Sequence, residues 1–341
     1  MRRRPVFIGV DIGGSKVLAL ATDASLTPLA VAEREHPVRR DRDTVVATTR
    51  ELVREVVRSL PQAPSPHVES VGVAFPGFLE AYGRKVLRAP NLPGWDGTDA
   101  RAIFSHALGF PVALENDANA AAWAEYSLTD HGDSQDLLYV ILGTGVGGGL
   151  VLRGSLFRGP HGTAGEIGHM ATRFSRRRCG CGRVGCLETL AGGRGLARTG
   201  KRLAARHPRS LLARRWRSTK TPGARELLFA AEEGDPYARE ARDLAGDEVG
   251  RAIAASVNLL GVERVVLGGR LLRNAPGYFQ AIRDGLERHV LSVLQKKVHL
   301  LQSHDLHHAV AMGALLVARH AAGTGSLSPR GGEESRARDP T

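Results

Sequence analysis

A chain of 341 residues that is 42% hydrophobic can build a globular core, and at this length two domains or lobes are expected because single cores seldom grow so far. Its formal charge of +12 comes almost wholly from arginine, spread along the chain and mixed with Asp and Glu, which is the pattern of solvated surface and gives no expectation of nucleic acid as a partner. The charged start at Met1 leads only into a short apolar run, Pro5 to Val10, and the longest uncharged stretch, Leu137 to Leu152, has 16 residues and five glycines, so neither export nor membrane spanning is expected and the chain should be cytoplasmic.

Val6 to Val10 reads as a strand, Asp11-Ile-Gly-Gly-Ser-Lys16 as a tight turn and Val17 to Leu20 as the returning strand. Asp43 to Leu60 has helical spacing of Val and Leu, and Val68 to Ala74 reads as a buried strand that Phe75-Pro-Gly77 ends. Asn91 to Trp95 is a loop. Pro111 to Leu114 is another strand, with Glu115-Asn-Asp117 at its end and an alanine-rich helix over Ala118 to Tyr126.

Leu138 to Leu142 leads into Gly143-Thr-Gly-Val-Gly147 and then Gly148 to Leu152. Gly143, Gly145 and Gly148 satisfy the G-x-G-x-x-G pattern, but that pattern needs a helix next, and the residues that follow read as a hairpin. The chain thus holds two related halves, each with a glycine-bearing hairpin. Facing each other across a cleft, two such turns would offer backbone N–H groups to a polyphosphate, and a nucleotide is the natural ligand. Gly193 to Leu260 is mainly helical, Val265 to Gly269 is a strand ending in a glycine pair, and Val310 to Arg319 is a final helix. Gly323 to Thr341 has almost no apolar residues and is expected to be a disordered tail.

The chemistry-bearing residues begin with His169, Cys179, Cys181 and Cys186, which include every cysteine of the chain. Thiolates and imidazole are preferred Zn²⁺ ligands, and a Cys₃His set closes a tetrahedral shell, so the expected site is structural. Asp117, where a strand gives way to a helix, reads either as an N-cap or as a general base toward a substrate hydroxyl. Asp11 reads as a holder of Mg²⁺ through water or as an Asx-turn residue. Lys16 either neutralises phosphate or is simply exposed. Glu166 and Glu188 flank the metal ligands and suit the hydroxyls of a polyol, while Glu166 could instead orient His169.

With these motifs assembled, the chain resembles the ROK family of sugar kinases and sugar-responsive repressors over about residues 5 to 320. Asp11-Ile-Gly-Gly-Ser-Lys16 is similar to the family's first phosphate loop, Glu115-Asn-Asp-Ala-Asn119 to its catalytic segment and Leu142-Gly-Thr-Gly-Val-Gly-Gly148 to its second phosphate loop. Glu166-Ile-Gly-His169 with Cys179 through Glu188 resembles the sugar-and-zinc signature, and Val266-Leu-Gly-Gly269 the adenosine-side glycine pair. Ser15 stands where threonine is commoner.

The resemblance implies an α/β, two-lobed actin-like (ribonuclease H-like) ATPase fold with a structural zinc site. Residues 1–116 would form the small lobe, joined by a C-terminal helix near 306–320, and 117–305 the large lobe with the metal motif at 169–186. Asp117 would be the catalytic base, with Asn91, Asn116, Glu166, His169 and Glu188 on the sugar. Asp11, Gly13, Gly14, Ser15, Lys16, Gly143, Thr144, Gly145, Gly147, Gly268 and Gly269 would serve ATP and Mg²⁺. The implied reaction is ATP-dependent phosphorylation of a hexose 6-hydroxyl, glucose first, with N-acetylglucosamine, N-acetylmannosamine, fructose or mannose as alternatives, by a homodimer or homotetramer. The competing class is a sugar-sensing transcriptional repressor, which the ten residues before Asp11 are expected to disfavour by leaving no room for a DNA reader; a non-catalytic sugar-binding protein is a third, which Asp117, Asp11 and the two glycine loops disfavour.

Overall fold

The computed structural model describes residues 4–14, 16–36, 40–61, 65–81, 83–130, 132–303 and 308–323. Ser15 lies outside the described residues, as do residues 324–341 of the expected tail. The first half runs β1 (Arg4–Ile12), β2 (Lys16–Asp23), β3 (Pro28–Glu35), α1 (Arg42–Arg58), β4 (Pro66–Phe75), β5 (Phe78–Leu79), β6 (Val86–Arg88), α2 (Ala100–Leu108) and β7 (Val112–Asn116). After α3 (Asp117–Leu128) come β8 (Leu137–Leu142), β9 (Val146–Leu152), β10 (Ser155–Phe157), α4 (Glu188–Ala191), α5 (Gly193–Arg206), α6 (Leu211–Ser218), α7 (Ala224–Glu232) and α8 (Pro236–Leu260). Then follow β11 (Arg264–Gly268), α9 (Pro276–His289), β12 (His299–Gln302) and α10 (Ala309–Ala321).

Two five-stranded sheets share one topology, β3-β2-β1-β4-β7 and β10-β9-β8-β11-β12. In each, three strands form an antiparallel meander and two more join it in parallel. The central strands are apolar because helices cover both faces: Val6, Ile8, Val10, Val71, Val73, Val140 and Val265 are fully buried. The edge strands β3 and β12 carry no such run, since most of their residues face solvent, and the sequence pattern passed over them.

Helices α3 and α10 decide how the sheets meet. α10 packs on β1 and β4 of the first sheet, α3 packs on β8 and β9 of the second, and the two helices pack on each other. The contacts are close enough that side chains are excluded. A Cβ at Gly9 or Gly72 would overlap the carbonyl oxygen of Ala311 or Ala314 on α10, and one at Gly313 would overlap that of Ala120 on α3. Small residues therefore set the spacing between the halves.

Candidate active site

A cleft of about 340 Å³ is lined by both glycine turns and by the acidic residues beside the cysteines. Gly13 and Gly14, in the turn between β1 and β2, face Gly143 to Gly147, between β8 and β9. A Cβ at Gly14 would stand 3.7 Å from Thr144 Oγ1, so the turns meet nearly edge to edge. Each has an arginine that sequence reading did not single out: Arg40 donates to the carbonyl of Gly14 at 2.7 Å, and Arg270 to Thr144 Oγ1 at 3.0 Å. Lys16 instead pairs with Glu33 at 2.5 Å on the exposed side of β2, away from the cleft wall. Gly268 and Gly269 end β11 behind the second turn, where the Leu271 N–H donates to the Leu142 carbonyl, and they do not line the cleft.

Strand β7 extends through Asn116 and α3 begins at Asp117. The cap is Asn116, whose Oδ1 accepts from the N–H groups of Ala118 and Asn119. Capping therefore does not account for Asp117, which turns its carboxylate to the cleft and accepts from the Ala118 N–H at 2.9 Å. At the same strand end lies a partly buried ion pair that sequence reading missed. Arg158 donates to Glu115 Oε2 at 2.7 Å, and Glu115 Oε1 accepts from the Asn116 N–H and Asn119 Nδ2. Glu115 is 4% exposed, and three hydrogen bonds together with its ion pair to Arg158 hold the strand end that carries Asn116 and Asp117.

Three carboxylates in or next to the cleft titrate high: Asp117 and Glu166 line it, while Asp11, near the end of β1, is not among its lining residues. Burial raises Asp117 to about 6, against the opposing N–H groups of Ala118 and its own backbone. Burial and then the neighbouring Asp117 raise Asp11 to about 7, with Lys16 opposing. Burial, followed by Asp117 and Glu188, raises Glu166 to about 7. A carboxylate whose folded pKa exceeds its ordinary 3.8 binds protons better folded than unfolded, so its burden on stability is absent near pH 4 and grows as pH rises through the folded value. Asp117→Asn should accordingly raise Tm at pH 8 by a few degrees and leave it unchanged near pH 4. Thermal melts at the two pH values check this; equal shifts at both would contradict the electrostatic account.

The four metal-type donors converge. The ligand atoms of His169, Cys179, Cys181 and Cys186 all lie within 4.8 Å of one another, and the three cysteines are free thiols. Cys181 Sγ is 3.6 Å from Cys186 Sγ, and Cys179 Sγ is 3.6 Å from His169 Nδ1. Ligands at about 2.0–2.3 Å from a tetrahedral cation stand about 3.5–3.8 Å apart, so the set fits such an ion and is consistent with a structural zinc site. Burial lowers the His169 pKa, which favours the neutral imidazole that ligation requires. Its other nitrogen, Nε2, is 3.7 Å from Glu166 Oε2 on the cleft side. Glu188 begins α4 and reaches Cys179 with one oxygen, while its other oxygen fills the space that a side chain at Gly145 would need.

Gly145→Ala would thus displace the flexible end of Glu188 and leave the backbone in place. The expected result is a little-changed Tm and, on the sugar role that the family resemblance implies for Glu188, sugar affinity weakened about tenfold or more, since a hydrogen bond to a charged group contributes about 1.5–3 kcal/mol. Parallel melting and sugar titration check it; a variant that binds sugar normally would show that Glu188 is not held there for the ligand. Asn91 also lines the cleft, where its Oδ1 accepts from Arg194 at 2.9 Å.

The sequence model described as the ROK family matches residues 7–321. The chain belongs to the ROK family. It is 31% identical over 312 residues to an N-acetylmannosamine kinase of Escherichia coli, covering 92% of this chain and 98% of that one. It is 29% identical to a xylose repressor of Caldicellulosiruptor bescii over 77% of this chain, and spans 65% of the repressor's length. A solved ROK family glucokinase from Streptomyces griseus, in complex with glucose and AMPPNP, matches with a TM-score of 0.80 at 29% identity, covering 92% of this chain and 99% of that one. This ROK chain therefore has the actin-like ATPase fold, with a Cys₃His group beside its cleft. No helix among the described residues is long and apolar enough to cross a membrane.

Proposed function

We propose that this ROK protein is an ATP-dependent hexose kinase acting on the 6-hydroxyl, with glucose as its preferred sugar. The observation that carries the reading is Asp117, a carboxylate near pKa 6 set in one cleft between two glycine turns and a group of sugar-type ligands. At neutral pH it is mostly ionised yet basic enough to take the hydroxyl proton as the oxygen attacks phosphorus. Gly13, Gly14 and Gly143 to Gly147 offer backbone N–H groups to the phosphates, and the arginines beside them add positive charge. Asp11 would hold Mg²⁺ through water, and that ion supplies neutralisation of charge between the phosphates.

Asn116, Glu166, His169 and Glu188 wall the other end, where carboxylates accept from sugar hydroxyls and the imidazole Nε2 faces the ligand. The Cys₃His set would hold zinc, and the bound ion would fix the ring of His169 and the segment before α4, so that His169 and Glu188 are oriented before the sugar arrives. Similarity to a glucokinase complex and to an N-acetylmannosamine kinase supports a sugar kinase; the choice of glucose rests on the Glu166-to-His169 segment and the alanine-rich start of α3.

The test is ADP release with Mg-ATP against glucose, mannose, fructose, N-acetylglucosamine and N-acetylmannosamine. A kcat/KM dominated by glucose supports the whole reading. Dominance by an acetylated hexose keeps the mechanism and replaces the substrate. No turnover with any sugar, but sugar binding by calorimetry, would sink the kinase reading in favour of a sugar sensor, the role that the xylose repressor's name carries.

A further inference from the structure

His169 and Glu188 leave the same end of a short two-stranded ribbon. Residues 170–172 run antiparallel to 185–187: the Leu187 N–H donates to the Met170 carbonyl at 2.9 Å, the Thr172 N–H to the Gly185 carbonyl at 2.8 Å, and Ala171 stands opposite Cys186. His169 precedes one strand and Glu188 follows the other, and both line the cleft. Because its neighbours make the ladder bonds, Ala171 occupies a non-hydrogen-bonded position, and its own carbonyl points out of the ribbon. A helix meets it there.

That helix is α8. Arg251 Nη2 donates to the Ala171 carbonyl at 3.2 Å, and the same guanidinium holds both oxygens of Glu248, at 2.9 and 2.8 Å. Glu248 is 2% exposed and also accepts from the Thr172 hydroxyl. Burial pushes its pKa up, but the bonds from Arg251 and Thr172 outweigh burial and hold the carboxyl below its ordinary value. The turn that carries the pair is itself fixed. A Cβ at Gly246 would crowd Ala281 and one at Gly250 would overlap the Ile282 carbonyl oxygen, so α8 lies against α9 without room to shift. Taking a carboxylate out of water is costly, and an apolar pair of similar size often packs at least as stably. What the ion pair adds is direction, since a planar fork fixes the atoms it binds in a way that apolar side chains do not.

We propose that Glu248 and Arg251 are positioning residues for the sugar end of the cleft, clamping the ribbon to α8 so that His169 and Glu188 project at fixed angles. The inference rests on the sugar roles proposed for those two side chains. Neither clamp residue lines the cleft, so both act through the ribbon. Ala171 is two residues from His169, a span of about 7 Å in an extended strand, and a misplacement of about 1 Å at a binding group can cost about 10² in rate. The Cys₃His donors join the two strands to each other, whereas the clamp joins them to the helical body of the second half. The two devices therefore restrain different motions of the same side chains.

The experiment compares the full chain with Glu248→Leu/Arg251→Met, which removes both charges together and leaves no buried ion unpaired, and with Arg251→Lys, which keeps the charge beside Glu248 but loses the fork. Affinity for each hexose of the panel is measured by calorimetry, alongside KM for Mg-ATP, zinc per chain and Tm. The double variant should bind its best hexose about tenfold or more weakly while KM for Mg-ATP stays within about twofold, zinc is retained and Tm moves by no more than a few degrees. Arg251→Lys should show a smaller loss of the same kind. Unchanged hexose affinity in the double variant would overturn the proposal. So would a loss matched by loss of zinc or of Mg-ATP affinity, because the pair would then be merely structural. If the double variant does not fold, full hexose affinity in Arg251→Lys would overturn it instead. An unsubstituted chain that binds a hexose but phosphorylates none would refute the kinase reading, and the clamp would still be judged by the same ratios of affinity. A chain that binds no hexose would refute both.

Discussion

Asp117→Asn is expected to lower kcat by about 10² to 10⁴, the range by which a positioned general base accelerates proton transfer, while leaving sugar affinity within about twofold. The substitution removes the buried charge and the ability to accept a proton while keeping the shape of the side chain. Asparagine matches aspartate in shape, and the α3 N-terminus is capped by Asn116, so the helix keeps its start. The Ala118 N–H can still be met by the amide oxygen. The Glu115–Arg158 pair under the strand end is untouched. Steady-state kinetics with calorimetric sugar binding would read the two effects separately. A variant with near-normal kcat would remove Asp117 from the chemistry, and one that lost sugar binding as well would make it a positioning group. In the unsubstituted chain kcat/KM should fall as pH drops below about 6, when Asp117 takes up its proton.

Cys186→Ser should be the most destabilising single change near the cleft, lowering Tm by about 10 °C or more because metal binding free energy at a structural site is folding free energy. Cys186 is 1% exposed and lies two residues before Glu188, while Cys179 touches Glu188 and His169 directly. Loss of the ion would leave the thiols and Glu188 without the charge that draws them together. Sugar affinity should fall with stability, since two of the proposed sugar ligands hang from the same knot. Metal analysis is expected to give about one zinc per chain, and exhaustive chelation should reproduce the variant. A metal-free chain with an unchanged Tm would remove the zinc assignment.

Much of the site could be read locally because its chemistry is local. Three cysteines and a histidine within a short span can face one ion whatever surrounds them, and glycine turns after apolar strands announce backbone that must approach a ligand. Asp117 was harder, because at a boundary between strand and helix an aspartate reads equally as a helix cap or as a group facing a substrate. Only the folded structure assigns the cap to Asn116 and leaves the Asp117 carboxylate turned to the cleft. Arg158 lies 43 residues from Glu115, so no sequence window contains that pair. Lys16 shows the converse, a residue that its motif left open between phosphate and solvent and that lies opposite Glu35 in the β2–β3 register and pairs diagonally with Glu33.

The sequence by itself determined the metal knot, the two glycine turns, the acidic residues between them and the repeated apolar strands, since each depends on residue type at short spacing. The tertiary structure alone decided which of them meet. It laid α3 against α10, brought two turns from opposite halves into one cleft, paired Glu115 with Arg158 at the strand end that carries Asp117 and set Arg194 and Arg198 of α5 along the cleft wall. Those outcomes depend on packing between segments far apart in the chain, where close approach and burial, not local composition, fix a charged group's partner and its pKa.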